Sequence, residues 1–240
     1  MWRSTAREAC ADDMGGLLIV FEGPDGAGKS TQTRRLAESL QRDGFDVLLT
    51  REPGGTPLGE RFRDLLLDYG DHEVFAETEA LLYAADRAQH VREVLRPALE
   101  RGVVVVCDRY LDSSLAYQGG GRGLAIEDLV VVQRLATGGL LPDLRLLLDL
   151  PVAVGLERRF SGSAGVNRLD AEGATFHDRV RVAYHNLIAG APEGWAVVDA
   201  DRSVDEVASG VLSTVWERVG ERLDALRRSA WEAPMALGAL

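Results

Sequence analysis

Cysteine is nearly absent from this sequence, with two in 240 residues, and neither sits in a spacing that would build a disulfide framework. Cys107 lies in an apolar run and reads as a small buried hydrophobe, while Cys10 sits in a polar N-terminal stretch; both are expected as free thiols in a reducing cytoplasm. Histidine is also scarce, at four, and no Cys or His spacing matches a metal cage. Long apolar runs are missing, which excludes a bilayer-spanning helix, and no secretory leader pattern is present. Basic residues are the minority: 27 Lys and Arg stand against 38 Asp and Glu, a formal net charge of −11. That balance argues against a surface that coats nucleic acid. Any anionic substrate must therefore be met by a local group of Arg, Lys and backbone N–H groups.

What remains is an ordinary globular composition, 46 % apolar and 27 % charged, in a chain long enough for one substantial α/β core. Apolar runs at 17–22, 45–52, 103–108, 144–150 and 195–200 read as strands. Stretches with helical spacing separate them: 29–44, a short helix with Phe62, Leu65 and Leu66 inward, 77–102, 126–139, 151–160, 175–190 and 203–226. In the long helix Leu81, Ala84, Ala85, Ala88, Val91 and Leu95 form one apolar stripe, and Pro97 is placed to bend it. The alternation predicts a three-layer α/β fold with a five-stranded parallel sheet flanked by helices. Residues 1–16 read as a loose tail, with Met14 a candidate start; 17–228 as one domain; and 229–240 as a second tail. Ligands of such sheets bind beyond the carboxyl ends of the strands.

The first of those ends carries FEGPDGAGKST, Phe21 to Thr31. Gly23, Gly28, Lys29 and Ser30 satisfy G-x-x-x-x-G-K-[ST] between a strand and a helix. The loop Gly23, Pro24, Asp25, Gly26, Ala27, Gly28, Lys29, Ser30 and Thr31 is expected to cradle the phosphates of ATP with its backbone N–H groups, of which Pro24 has none. The helix N-terminus adds partial positive charge. Lys29 is expected at the β- and γ-phosphates and Ser30 on Mg²⁺, with Asp108, at the end of the third strand, as the acidic partner. The loop by itself leaves switches, motors and kinases open.

Other residues narrow the choice. Tyr83 and Arg87 are four apart on a helix and suit a flat heterocycle, though alone they read more simply as a surface ring over a snorkelling arginine. Arg109 follows Asp108 and would grip a second phosphate, or else form a structural ion pair. Arg51 ends the second strand and is a further phosphate candidate, or a loop-anchoring salt bridge.

TREPGGTPLGE, EALLYAADRAQHV, DRYLDSSLAYQGGGRG and NRLD followed by FHDRVRVAY occur in order after the phosphate loop. Together they resemble the bacterial thymidylate kinase family over roughly 17–215. The resemblance implies transfer of the γ-phosphoryl of ATP to dTMP, with Mg²⁺, in a cytoplasmic homodimer with no nucleic-acid or membrane partner. It implies that Asp25 lies near the acceptor sugar and phosphate, that Tyr83 stacks on thymine, and that Arg87 bonds a thymine carbonyl. It assigns Arg51 and Arg109 to the dTMP phosphate, Ser114 to the base edge, Tyr117 to the deoxyribose and Gln118 to the same pocket. Another nucleoside monophosphate or deoxynucleoside kinase, or a weakly active regulatory relative, stays open.

Family members of one type carry a catalytic arginine in the phosphate loop; the other type brings it from a lid. Gly26 and Ala27 place this chain with the second type. Its lid, about 158–172, offers Arg158, Arg159 and Arg168, of which Arg159 and Arg168 are the catalytic candidates alongside Lys29, Arg109 and Asp25. The alternative is that Arg158 and Arg159 are a solvated helix end.

Overall fold

The structure, a computed structural model, describes residues 15–67, 73–161 and 167–232. Cys10 and Met14 lie outside them, as do the middle of the expected lid, 162–166, and 233–240. Five parallel strands run in the order β2-β3-β1-β4-β5: β1 Leu17–Glu22, β2 Val47–Arg51, β3 Val104–Asp108, β4 Leu144–Asp149 and β5 Trp195–Asp199. The chain fills one side of β1 and then the other, so the crevice opens at the carboxyl end of β1. The sheet architecture is that expected from the alternation of apolar runs.

β1 is buried along its whole length because helices cover both faces of the sheet. Leu17, Ile19 and Phe21 pack with Leu36 and Leu40 of α1 (Lys29–Arg42) and Val207, Val211 and Val215 of α9 (Val204–Glu232). Leu18 and Val20 face Val91, Leu95 and Leu99 on the other side. Each such side chain removed from water contributes about 1.5–3 kcal/mol. Cys107 is one of this second group, buried and free.

α2 (Pro57–Leu67) and α3 (Ala76–His90) follow β2. Ahead of Pro97 the helix widens into a π-helical turn, Val91–Leu95, before the chain resumes as α4, Arg96–Glu100. Proline offers no N–H to the carbonyl four residues back, so the ladder widens ahead of it. After β3 come α5 (Leu111–Ser114), a second π-helical stretch (Leu115–Gly121) and α6 (Ile126–Thr137). α7 (Val152–Ser161) and α8 (Ala174–Gly190) lie between β4 and β5.

Three expectations are corrected. Leu65 is exposed while Leu66 is buried. The apolar stripe of α3 is wrong at Leu81, which is 59 % exposed, and at Ala85, also exposed. The buried face of that helix is instead Glu79, Ala80, Ala84, Asp86, Arg87 and His90, largely polar side chains whose partners, Glu52, Gln118 and Ser114 among them, come from other segments. Finally, α9 runs to Glu232, so the boundary expected at 228 falls inside a helix.

Candidate active site

A cleft of about 460 Å³ opens over the carboxyl ends of β1, β2 and β3. Its floor is the loop between β1 and α1. Gly28 caps α1 with φ 83°, and Thr31 N donates to Gly28 O. Asp25, Gly26, Gly28, Lys29, Ser30 and Thr31 line the cleft, with Gly23, Pro24 and Ala27 in the same turn. A Cβ on Gly26 would collide with Gly155 O, at a backbone φ of 77° that favours glycine anyway. No side chain, arginine included, fits there, which agrees with a loop that carries no cation of its own besides Lys29.

Lys29 folds back over the loop, Nζ donating to Gly23 O at 3.0 Å and Pro24 O at 2.8 Å. Burial and then the charge of Arg109 push its ammonium pKa down to about 8. Ser30 Oγ donates to Asp108 Oδ2 at 2.6 Å, and both line the cleft. This pair offers two hard oxygen donors. Among the described residues no group of three or more His, Cys, Asp or Glu could hold a metal alone. A hydroxyl and one carboxylate suit Mg²⁺, which keeps several waters and draws its remaining ligands from substrate phosphates.

Arg109 is the hub. It sits at φ 72°, an uncommon backbone state for a residue with a side chain, and the turn directs its guanidinium back over the loop. Nη2 donates to Asp25 Oδ1 at 2.6 Å and to Tyr117 Oη at 2.9 Å; Nη1 donates to Gly23 O at 3.1 Å and Ser113 Oγ at 3.2 Å. Tyr117 Oη in turn donates to Asp25 Oδ2 at 2.7 Å. Burial alone would raise the Asp25 carboxyl, but Arg109, Lys29 and Tyr117 hold it at about 2. Asp25 is therefore a fixed negative charge that keeps Arg109 extended over the loop.

Behind Arg109 lies Glu22, fully buried. It accepts from Tyr110 N, Ser113 N, Ser113 Oγ and Tyr184 Oη. Burial, then Asp112, lifts its pKa to about 7.

On the remaining wall, Arg51 Nη2 meets both oxygens of Glu60 at 3.0 Å, the salt bridge given as its alternative, and the residue also lines the cleft. Tyr83, Ser114 and Gln118 line the cleft as expected. Arg87 does not. It is 1 % exposed, and its donors go to Glu52 Oε2, Ser114 Oγ, Gln133 Oε1 and Tyr110 O. Expected at a thymine carbonyl, Arg87 lies in this arrangement behind Ser114, held there by the buried Glu52. At the lid, Arg158 and Arg159 line the cleft. Arg159 is paired with the buried Asp170, and Arg158 Nη1 donates to Ala200 O. Arg168 is drawn elsewhere, to Glu79 at 2.5 Å and Leu66 O at 3.2 Å, and does not line the cleft.

Sequence reasoning missed Arg63 and Glu52 in the cleft lining, and Glu22 and Glu79 behind it. Arg63 lies on α2 with Nη1 donating to Pro53 O, beside Arg51. The signal for Glu52, Arg63 and Glu79 was their place inside or next to the quoted stretches; for Glu22, an acid ending an otherwise apolar strand.

A family model described as Thymidylate kinase matches residues 21–211. The chain is 54 % identical over 200 residues to the thymidylate kinase of Thermomicrobium roseum, covering 83 % of this chain and 94 % of that relative. It is 50 % identical over 198 residues to the thymidylate kinase of Ectopseudomonas mendocina, covering 82 % and 94 %. The crystal structure of thymidylate kinase from Ehrlichia chaffeensis superposes with a TM-score of 0.69 at 28 % identity, over 84 % of this chain and 99 % of that one.

Proposed function

The chain belongs to the thymidylate kinase family, and from that premise we propose how its cleft phosphorylates dTMP to dTDP with ATP, a step in dTTP synthesis. An oxygen of the dTMP phosphate bonds to the γ-phosphorus of ATP as the bond from that phosphorus to the β,γ-bridging oxygen breaks, and ADP leaves with the electron pair. The chemistry asks the protein for alignment and charge cancellation more than for covalent help.

The ATP phosphates lie in the Gly23–Thr31 loop with Lys29 exchanging its two carbonyl partners for phosphate oxygens. Ser30 and Asp108 would hold Mg²⁺, which when bound neutralises charge on those phosphates. Arg109, Arg51 and Arg63 face the acceptor phosphate. Asp25 and Tyr117 hold Arg109 in place and lie where the sugar passes. Tyr83 stacks on the base, with Ser114 and Gln118 at its edge. Arg159, already in the cleft lining, is the better candidate for the lid arginine than Arg168. The segment at 158–172 closes over ATP and excludes water, so that hydrolysis does not compete.

The observation that carries this reading is Arg109, whose guanidinium touches the phosphate loop at Gly23 and Asp25 and the acceptor wall at Tyr117. It stands where two phosphates must meet. A coupled ADP-release assay with ATP, Mg²⁺ and a panel of acceptors tests it: dTMP should outrun dUMP, UMP, AMP and thymidine. ADP release that ignores the acceptor would sink the reading.

The protein also acts as a homodimer in the cytoplasm, on free nucleotides, without nucleic acid or membrane. Exposed Leu58, Leu65, Leu81, Val131 and Leu135 on α2, α3 and α6, of which α3 packs against the other two, support the dimer. No helix among the described residues is long and apolar enough to cross a membrane. Sedimentation at micromolar concentration should give twice the chain mass.

A further inference from the structure

Two buried charges of opposite sign stand behind the wall that carries Ser114 and Gln118. The first is Glu79 of α3, fully buried. It accepts from Gln118 Nε2 at 2.8 Å, Arg122 Nε and Nη2 at 3.3 and 3.1 Å, and Arg168 Nη2 at 2.5 Å. Burial favours its neutral form, yet hydrogen bonds from Arg122, Gln118 and Arg168 take its pKa below the ordinary carboxylate value, so it is ionised near neutrality. An ionised carboxylate only accepts hydrogen bonds. Gln118 must therefore turn its NH₂ end inward. Its Oε1 receives no hydrogen bond from any described residue and is left for the cleft, which Gln118 lines.

The second charge is Arg87, and it acts in the opposite sense on Ser114. Its Nη1 donates to Ser114 Oγ at 2.9 Å. A guanidinium has no acceptor, so the serine hydrogen points away from it, and Ser114 donates to no described residue. The wall thus offers the cleft an acceptor from Gln118 and a donor from Ser114.

We propose that Glu79 is a positioning residue for base selection. By fixing the sense of the Gln118 amide, it tunes the wall to a pyrimidine with an N3–H next to a 4-oxo group and against cytosine, whose bare N3 and 4-amino group reverse both partners. This rests on the base lying against Tyr83, Ser114 and Gln118, as in the preceding reading. It says nothing of the 5-methyl group, so thymine and uracil are treated alike by this device.

The test is the ratio of kcat/KM for dTMP to that for dCMP, with dCMP also read as a competitive inhibitor. Glu79→Gln places an amide opposite an amide, which pair in either sense, and the ratio should fall about tenfold or more, because a site loses discrimination when its buried polar group is no longer fixed. In a Gln118→Met background the same change should move the ratio by less than about twofold. Loosening of Arg168 or Arg122 slows both acceptors alike and leaves the ratio in place. An unchanged ratio after Glu79→Gln, or a fall that persists without Gln118, overturns the proposal. Should Glu79→Gln not fold, Glu79→Asp keeps the charge for the two arginines while withdrawing it from Gln118, and the same ratio is read. Should neither fold, the unaltered protein should bind N3-methyl-dTMP about tenfold more weakly than dTMP, and equal binding overturns the idea. An unaltered chain that fails to turn over dTMP refutes the preceding reading; an active one indifferent to Glu79 refutes only this inference.

Discussion

The floor of the cleft is made of backbone and its acceptor wall of side chains. Between Gly23 and Thr31 the groups that face a phosphate are main-chain N–H groups, a lysine resting on two carbonyls and a serine resting on one acid. The shape is set by Gly26 in tight contact with Gly155 of α7 and Gly23 against Leu148 O of β4, so few other residues need to cooperate. Across the cleft, Ser114 and Gln118 are held by buried charges: Arg87, itself paired with Glu52, and Glu79. A general anion binder needs only the first kind of construction. Reading one base and one sugar needs donors and acceptors with fixed sense, and fixed sense in a dry wall takes charges that cannot turn around.

If that contrast holds, damage to the two walls separates activity from stability. The largest expected effect is on the floor: Lys29→Met should lower kcat about 1000-fold, as removal of a transition-state charge partner does, without lowering the urea midpoint. Its burial already makes its charge costly, so its loss releases strain. Arg87→Met should do the reverse, lowering stability by about 3–5 kcal/mol in urea titrations because the buried Glu52 loses its guanidinium and keeps only the His90 ring. Activity that survives at low temperature in Arg87→Met would sharpen the contrast; a stable, inactive variant would break it.

A smaller effect divides the lid. Arg159→Ala should lower kcat about 10- to 100-fold. Arg168→Ala, at a residue that does not line the cleft, should act mainly on stability. Equal kinetic losses would mean that Arg168 leaves Glu79 when the lid closes.

The smallest effect is a pH slope. Burial, then Glu52, lifts Asp86 from 3.8 to about 7. Between those values the folded chain holds a proton that the unfolded chain has released, so stability from this group falls as pH rises through 7. Relative to its value below about pH 4, the melting temperature of Asp86→Asn should therefore gain on the parent progressively up to about pH 7, with no further gain at about pH 8. A constant difference across that range would place the Asp86 ionisation elsewhere.

The sequence disclosed the two walls unequally, for the same reason that they differ. The loop is contiguous, so its glycines, Lys29 and Ser30 announce themselves by spacing, and the parallel sheet follows from apolar runs alternating with helical ones. Asp108 and Arg109 were legible because a buried strand delivers its last residue to the crevice. The stripe on α3 misled because periodicity equates buried with apolar. There the inward face is Glu79, Asp86, Arg87 and His90, whose partners come from distant segments, Glu52 and Gln118 among them. No local pattern marks such pairings. Leu81 and Ala85 turn outward as a consequence, onto the face proposed to meet a second copy. The α9 boundary was missed because charged residues such as Arg227 and Arg228 extend a helix without any apolar stripe to signal it.

The most direct measurement is a crystal structure of the chain with ADP and dTMP bound together. The account places the ADP phosphates in the Gly23–Thr31 loop, the dTMP phosphate within hydrogen-bonding reach of Arg109, and the thymine between Tyr83 and the edge formed by Ser114 and Gln118. A thymine bound outside that wall, or a dTMP phosphate that Arg109 does not touch, would contradict it.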